Sequence, residues 1–182
     1  MPITARHVRD TVDAYLADHP DEKEVLAPLC EVVELAGDSV TSRKEFRGHV
    51  TAGAVLVRPD RRVLIIEHKA LGKWLLPGGH VEDSDTTLRD AALRELAEET
   101  GISRDQVEPE GAVPLHIDVH TIPANGAKGE PEHPHFDVRF LFRTSADAVV
   151  LQEEEVTNYS WQFADTLTAD PLRSRVMAAL RR

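Results

Sequence analysis

Apolar and polar positions change their period several times along the chain, and each change marks an element. From Thr4 to Asp18 the apolar residues Val8, Val12, Tyr15 and Leu16 fall on one stripe, which predicts a helix over residues 4 to 18 with Thr4 as a candidate cap. His19-Pro20-Asp21 breaks it. Helical spacing resumes in Val25, Leu29, Val32, Val33 and Ala36 and stops at Gly37, so a second helix is expected there, with Pro28 either kinking it or opening a new first turn. The polar run Asp38 to Arg47 reads as a linker. Strand patterning then begins: His49 to Arg58 and Arg62 to Lys69 are expected strands joined through Pro59-Asp60. Later strands are expected at about Val113 to His120 and His135 to Arg143, with a short edge at Val149 to Leu151. A closing helix, Pro171 to Arg182, carries the stripe Leu172, Val176, Met177 and Leu180.

Between these patterns lies the stretch Trp74 to Ile102, WLLPGGHVEDSDTTLRDAALRELAEETGI, which reads as a strand end, a glycine turn, a loop and a helix. Asp85, Thr86 or Thr87 can cap that helix, with Thr87 and Asp90 three residues apart as in a capping box, and Gly101 supplies the stop. Glu95, Glu98 and Glu99 sit at i, i+3 and i+4, so a helix brings all three carboxylates to one arc. Like charges there repel one another, and the helix dipole disfavours anions at a C-terminus. A solvated acidic face is the bland explanation. The chemical one is a hard cation, Mg²⁺ or Mn²⁺, which takes one or two carboxylates and keeps positions open for water and substrate phosphate.

The second reading is favoured by a resemblance. Arg94-Glu95-Leu96-Ala97-Glu98-Glu99-Thr100-Gly101-Ile102 is similar at every defined position to the second half of the Nudix box, G-x5-E-x7-R-E-U-x-E-E-x-G-U, where U is bulky and apolar. Gly79 followed by five residues reaches Asp85 where the family has Glu, and residues 86 to 93 place one residue more than the family's seven before Arg94. Trp74 and Pro77-Gly78-Gly79 also fit the approach to the box. The extra residue is expected in the loop, because an insertion inside the helix would rotate every residue behind it by about 100° and spoil the alignment of Glu95 to Glu99 with the Gly78 turn.

The resemblance implies a MutT-like α/β/α sandwich with a mixed sheet over residues 46 to 182, preceded by a helical extension, residues 1 to 45. It also implies hydrolysis of a diphosphate linkage in a nucleoside diphosphate joined to another moiety. Glu98 and Glu99, then Glu95, with the Gly78 carbonyl, would hold the metal, and Arg94 would orient a carboxylate. A member that kept the fold but lost catalysis, as a nucleotide-binding module or sensor, is the alternative; all three box carboxylates are retained here. An isoprenoid diphosphate isomerase would want a reactive site cysteine, and Cys30 lies far from the box in sequence.

Two further groups carry chemistry. Alternation reserves a polar face for His116, Asp118 and His120 on one strand and for His135, Asp137 and Arg139 on the other, opposite Phe136, Val138, Phe140 and Phe142. These faces are either solvated sheet surface or a substrate cleft in which Arg139 offers a forked guanidinium to phosphate. Histidine pairs raise zinc too, but no zinc-ligand spacing is present and zinc is not expected. The excursion Pro123 to Pro134 between the strands reads as a lid, a specificity loop or a loop without fixed structure. The base is expected to be one glutamate of the box or one of Glu153, Glu154 and Glu155, since the resemblance implies a glutamate in this region that can assist with metal or base duty.

Composition narrows the partners. A chain of 182 residues can bury one good core. Its net charge of −11 argues against a general nucleic-acid binder, leaving a small nucleotide as the expected ligand. One cysteine precludes an internal disulfide. With neither an apolar leader nor an 18-residue apolar run, the expectation is a cytoplasmic protein without membrane association. The stripes of the first two helices need a partner, either the main domain or the second subunit of a homodimer.

Overall fold

In the computed structural model, which describes residues 2–146, 148–167 and 170–181, helix α1 (Ala5–Asp18) starts where expected. The Thr4 hydroxyl accepts from the His7 amide, and Val8, Val12 and Tyr15 are buried. The second helix, α2 (Ala27–Ala36), is shorter than its apolar pattern, because Pro28 takes its first turn and residues 20–22 form a separate 3-10 turn. Of the α2 stripe, Leu29, Val32 and Val33 are buried while Val25, ahead of the helix, is exposed. The polar run after it is ordered at its start: Gly37–Thr41 is a 3-10 turn that buries Val40, and the Asp38 carboxylate accepts from the Ala5 amide at 2.8 Å.

Eight strands form one sheet: β1 (His49–Val57), β2 (Arg62–His68), β3 (Lys73–Leu75), β4 (Gly78–His80), β5 (Val107–Pro109), β6 (His116–Ile122), β7 (His133–Thr144) and β8 (Val156–Phe163). The path is β3-β2-β1-β7-β5, with β4 on β1, β6 on β7 and β8 on β2. β1 is buried along its whole length, as a central strand requires. Helix α3 (Leu88–Thr100) follows β4, and α4 (Leu172–Ala179) follows β8.

Two sequence expectations shift. β6 begins at His116, since Pro114 has no amide to donate. No strand forms at Val149 to Leu151; there the Val150 amide donates to the Thr100 carbonyl, and the strand comes later as β8, antiparallel to β2. The β8 sequence VTNYSWQF is too polar to show alternation, although its β-branched and aromatic residues suit a pleated surface.

Contacts group the chain into two compact units, residues 1–52, 80–91 and 117–138 in the first, and 53–79, 92–116 and 139–182 in the second. Within the first, α1 packs on α2 and on the turn at residues 37–41, which covers Val8, Val12, Tyr15, Leu29, Val32 and Val33 and leaves Val25 exposed. The same unit ties α1 to the start of α3: the Leu88 amide donates to His7 Nε2 at 3.2 Å, satisfying one of the helix's orphan donors. Within the second, Val55, Val57, Val63 and Leu141 of the sheet form a core with Leu172, Val176 and Ala179 of α4. His7→Ala should therefore lower stability by about 1 kcal/mol, the scale of a lost cap, and reduce Tm in a thermal melt. An unchanged Tm would show that α1 does not support α3.

Candidate active site

Helix α3 is built to deliver carboxylates. Of the three candidate caps it uses Thr87, whose hydroxyl accepts from the Asp90 amide at 3.0 Å. Asp85 instead closes the preceding loop: buried, it accepts from the Glu82 amide at 2.8 Å, while its own amide donates to the Glu82 carbonyl at 3.0 Å. The helix then runs from Leu88 to Thr100 as unbroken α-helix, so the additional residue before Arg94 is absorbed in the loop. Gly101, at φ 68°, ends it in a backbone conformation that suits glycine.

At the far end of α3 the three glutamates have different surroundings. Glu99 is 2% exposed, and its Oε2 accepts from the Gly78 amide at 2.9 Å. Glu95 lies against Gly79 so closely that a Cβ there would come within 2.6 Å of its Oε1, so a side chain at that position would displace the Glu95 carboxylate. Glu98 has 47% of its side chain exposed and pairs with Arg94, whose Nη1 lies 2.8 Å from Glu98 Oε2 and 3.1 Å from Glu95 Oε1. Arg94 thus contacts two carboxylates at once.

Burial dominates the protonation of the inner pair. It pushes Glu99 up to about 8, against the pull of the Gly78 amide, with the negative charges of Glu95, Glu155 and Glu98 adding to the rise. Glu95 is pushed up to about 7, again by burial first, with Arg94 opposing and Glu98 and Glu155 adding. Glu155 is the member of the acidic run 153–155 whose charge acts on both. The sequence could not single it out, because the three are adjacent and identical in type.

The polar strand residues separate. In the second unit His116 is buried with its Nδ1 2.8 Å from Arg175 Nη1, and the Arg139 carbonyl accepts from the Leu115 amide at 2.8 Å. In the first, His120 Nδ1 lies 3.1 Å from Asp118 Oδ2, and the Thr51 hydroxyl donates to Asp137 at 3.3 Å. His135 joins an imidazole cluster with His49, His80, His120 and His133, ring centroids 4.3–5.8 Å apart. Burial, then the neighbouring imidazoles, depresses His135 to about 3; burial leads the fall of His80 to about 4 as well. No sequence pattern points to His49, His80 or His133 as site residues. Alternation could have flagged His133 beside His135, but nothing local links either to His49 or His80.

The NUDIX domain model matches residues 47–180. The chain belongs to the Nudix family. It is 42% identical over 139 residues to Phosphatase NudJ of Escherichia coli K12, covering 73% of this chain and 80% of that protein. It is 30% identical over 138 residues to the "Probable DHNTP pyrophosphohydrolase" of Lactococcus lactis, covering 73% and 76%. A C. elegans Ap4A hydrolase shares the fold, with a TM-score of 0.57 at 22% identity over 72% of this chain and 97% of that one. The protein is a Nudix-type pyrophosphohydrolase with the family's α/β sandwich and mixed sheet.

Nudix hydrolases generally use divalent metal ions and act on small nucleotide substrates. The inner carboxylates of this Nudix domain fit such an ion chemically. Both are hard oxygen donors, Glu99 buried and Glu95 half-buried, and burial holds both partly protonated near neutral pH, a cost that a bound cation would reduce. Among the described residues no helix is long and apolar enough to cross a membrane.

The raised values set a pH dependence. Glu95 and Glu99 rise from 4.5 to about 7 and about 8, so folding favours their protonated forms; the benefit is complete below the unfolded value and lost as pH climbs through the folded ones. Metal-free protein should lose Tm between about pH 5 and 8. Saturating Mg²⁺ should restore it, and Glu99→Gln should lose less. Melts showing the same pH slope in Glu99→Gln and wild type would contradict this assignment.

Proposed function

We propose that this Nudix protein hydrolyses a diphosphate linkage in a nucleoside diphosphate joined to another moiety, using Mg²⁺ or Mn²⁺. The observation that carries the reading is the pair of buried Glu99 and half-buried Glu95 set on the Gly78-Gly79 turn, a placement that costs stability unless it serves a cation. Glu95, Glu98 and Glu99 would hold the ion together with the Gly78 carbonyl. When bound, it would neutralise charge developing on the diphosphate and lower the pKa of the attacking water.

The chain's own residues supply the rest. Glu155, within electrostatic reach of both inner glutamates, takes the proton as water attacks phosphorus and the bridging P–O bond breaks. Arg94 keeps Glu95 and Glu98 oriented through its two ion pairs. Arg139 contacts a substrate phosphate. The names of the relatives, a phosphatase and a pyrophosphohydrolase, support turnover over the binding-module alternative, as does retention of every box carboxylate.

Glu98→Gln and Glu99→Gln should each reduce kcat by about 10²-fold or more, and EDTA should abolish turnover of nucleotide sugars or dinucleoside polyphosphates. Glu155→Gln should lower kcat where Glu153→Gln and Glu154→Gln do not; equal effects of the three would remove Glu155 from the chemistry. Arg139→Ala should raise KM roughly tenfold, the scale of a lost charged hydrogen bond of ~1.5–3 kcal/mol, with Tm unchanged. A loss of activity that tracks Tm would make Arg139 a structural residue.

A further inference from the structure

A ring nitrogen from each of His49, His133 and His135 lies within 4.8 Å of the other two, with His49 and His133 buried and His135 half-buried. All three belong to the first compact unit. The α3 carboxylates that would serve the Nudix cation belong to the second. His49 is 1% exposed, and its Nε2 has no hydrogen-bond partner. A polar atom orphaned in the interior usually costs a desolvation penalty. Its other nitrogen explains which form it takes. Nδ1 lies 3.3 Å from the Glu45 carbonyl, which can only accept, so Nδ1 carries the proton and Nε2 presents a lone pair.

His133 repeats the arrangement, with Nδ1 2.7 Å from the Pro131 carbonyl. A backbone carbonyl fixing one ring nitrogen so that the other is free is how metal-ligating histidines are held. His135 stands two residues further along β7, on the same face as His133. Tetrahedral zinc with bonds of about 2.0–2.1 Å wants its nitrogens about 3.4 Å apart, so the three rings need to close by roughly 1 Å, which side-chain torsions permit. The His80 ring lies beside the three, 5.2 Å from His49 and 5.5 Å from His135, and water would complete the coordination.

We propose that His49, His133 and His135 form a binding site for a zinc-class transition-metal ion, distinct from the carboxylate site of the Nudix box. Imidazole selects such ions, whereas Mg²⁺ takes oxygen. The ion clips the first residue of β1 to the start of β7, where the excursion 123–132 rejoins the sheet. It therefore stabilises the fold by an amount that grows with the logarithm of its free concentration above Kd.

The test uses full-length protein made without a polyhistidine tag and titrated with Co²⁺, then Zn²⁺. One equivalent of Co²⁺ should show the visible absorption of a four-coordinate site, be displaced by Zn²⁺, and remain in the Glu98→Gln/Glu99→Gln variant. His133→Ala should weaken it by more than about 100-fold, beyond the loss of an outer-shell partner. In wild-type protein, Zn²⁺ should shift the ring ¹⁵N signals of His49, His133 and His135, a readout that needs no variant to fold. Absence of both the absorption and the ring shifts would overturn the site. So would binding that survives His133→Ala, or that is lost with the glutamates. Mg²⁺-dependent hydrolysis is read separately, so failure here leaves the proposed activity standing.

Discussion

The contact between Glu99 and the Gly78 amide is the one on which the active-site geometry depends. It joins the C-terminal end of α3 to the turn that opens β4 at 2.9 Å, and it does so with a carboxylate that is almost wholly buried. An anion at a helix C-terminus meets the wrong end of the dipole, and burial adds to the cost. The arrangement is tolerable because the Gly78 amide offsets part of that cost and protonation, favoured by burial, takes up more of it. Gly79 leaves room for the Glu95 carboxylate, which occupies the volume a side chain there would take and would be displaced by one. Loop and helix are therefore one device: the loop absorbs the extra residue so that α3 arrives with its glutamates aligned on the glycines.

Much of this device was legible in the sequence because it is local. The i, i+3, i+4 spacing of Glu95, Glu98 and Glu99, the capping residues at 85 to 87 and the Gly101 stop are all set by helix period within one segment. What the sequence could not rank was burial. Glu98 and Glu99 looked equivalent, yet Glu98 is half exposed on Arg94 and Glu99 is enclosed. That difference comes from where β4 and the glycine turn lie, a tertiary fact. The same limit hid β8, whose polar residues show no period, and made Glu155 indistinguishable from Glu153 and Glu154 until its charge was seen to act on the inner pair.

The histidines show the limit more sharply. Strand alternation grouped His116, Asp118 and His120 on one face, but His116 is enclosed against Arg175 whereas His120 meets Asp118 and the His135 ring. A three-histidine cluster drawn from β1 and β7 has no sequence spacing to announce it, because 84 positions separate His49 from His133. Only strand pairing brings them together. A site assembled from non-local pairs is invisible to motif reading, while one assembled on a single helix is its easiest case.

The central claim, that Glu95 and Glu99 of α3 are partly protonated near neutral pH and that a bound cation takes the proton's place, is tested most directly by calorimetry of Mg²⁺ binding at pH 7 in buffers of different ionisation heat. With Glu99 pushed up to about 8 and Glu95 to about 7, binding should release roughly one to one and a half protons per ion. Glu99→Gln should remove most of that release along with much of the affinity. Mg²⁺ binding that releases no protons and is unchanged in Glu99→Gln would contradict the account.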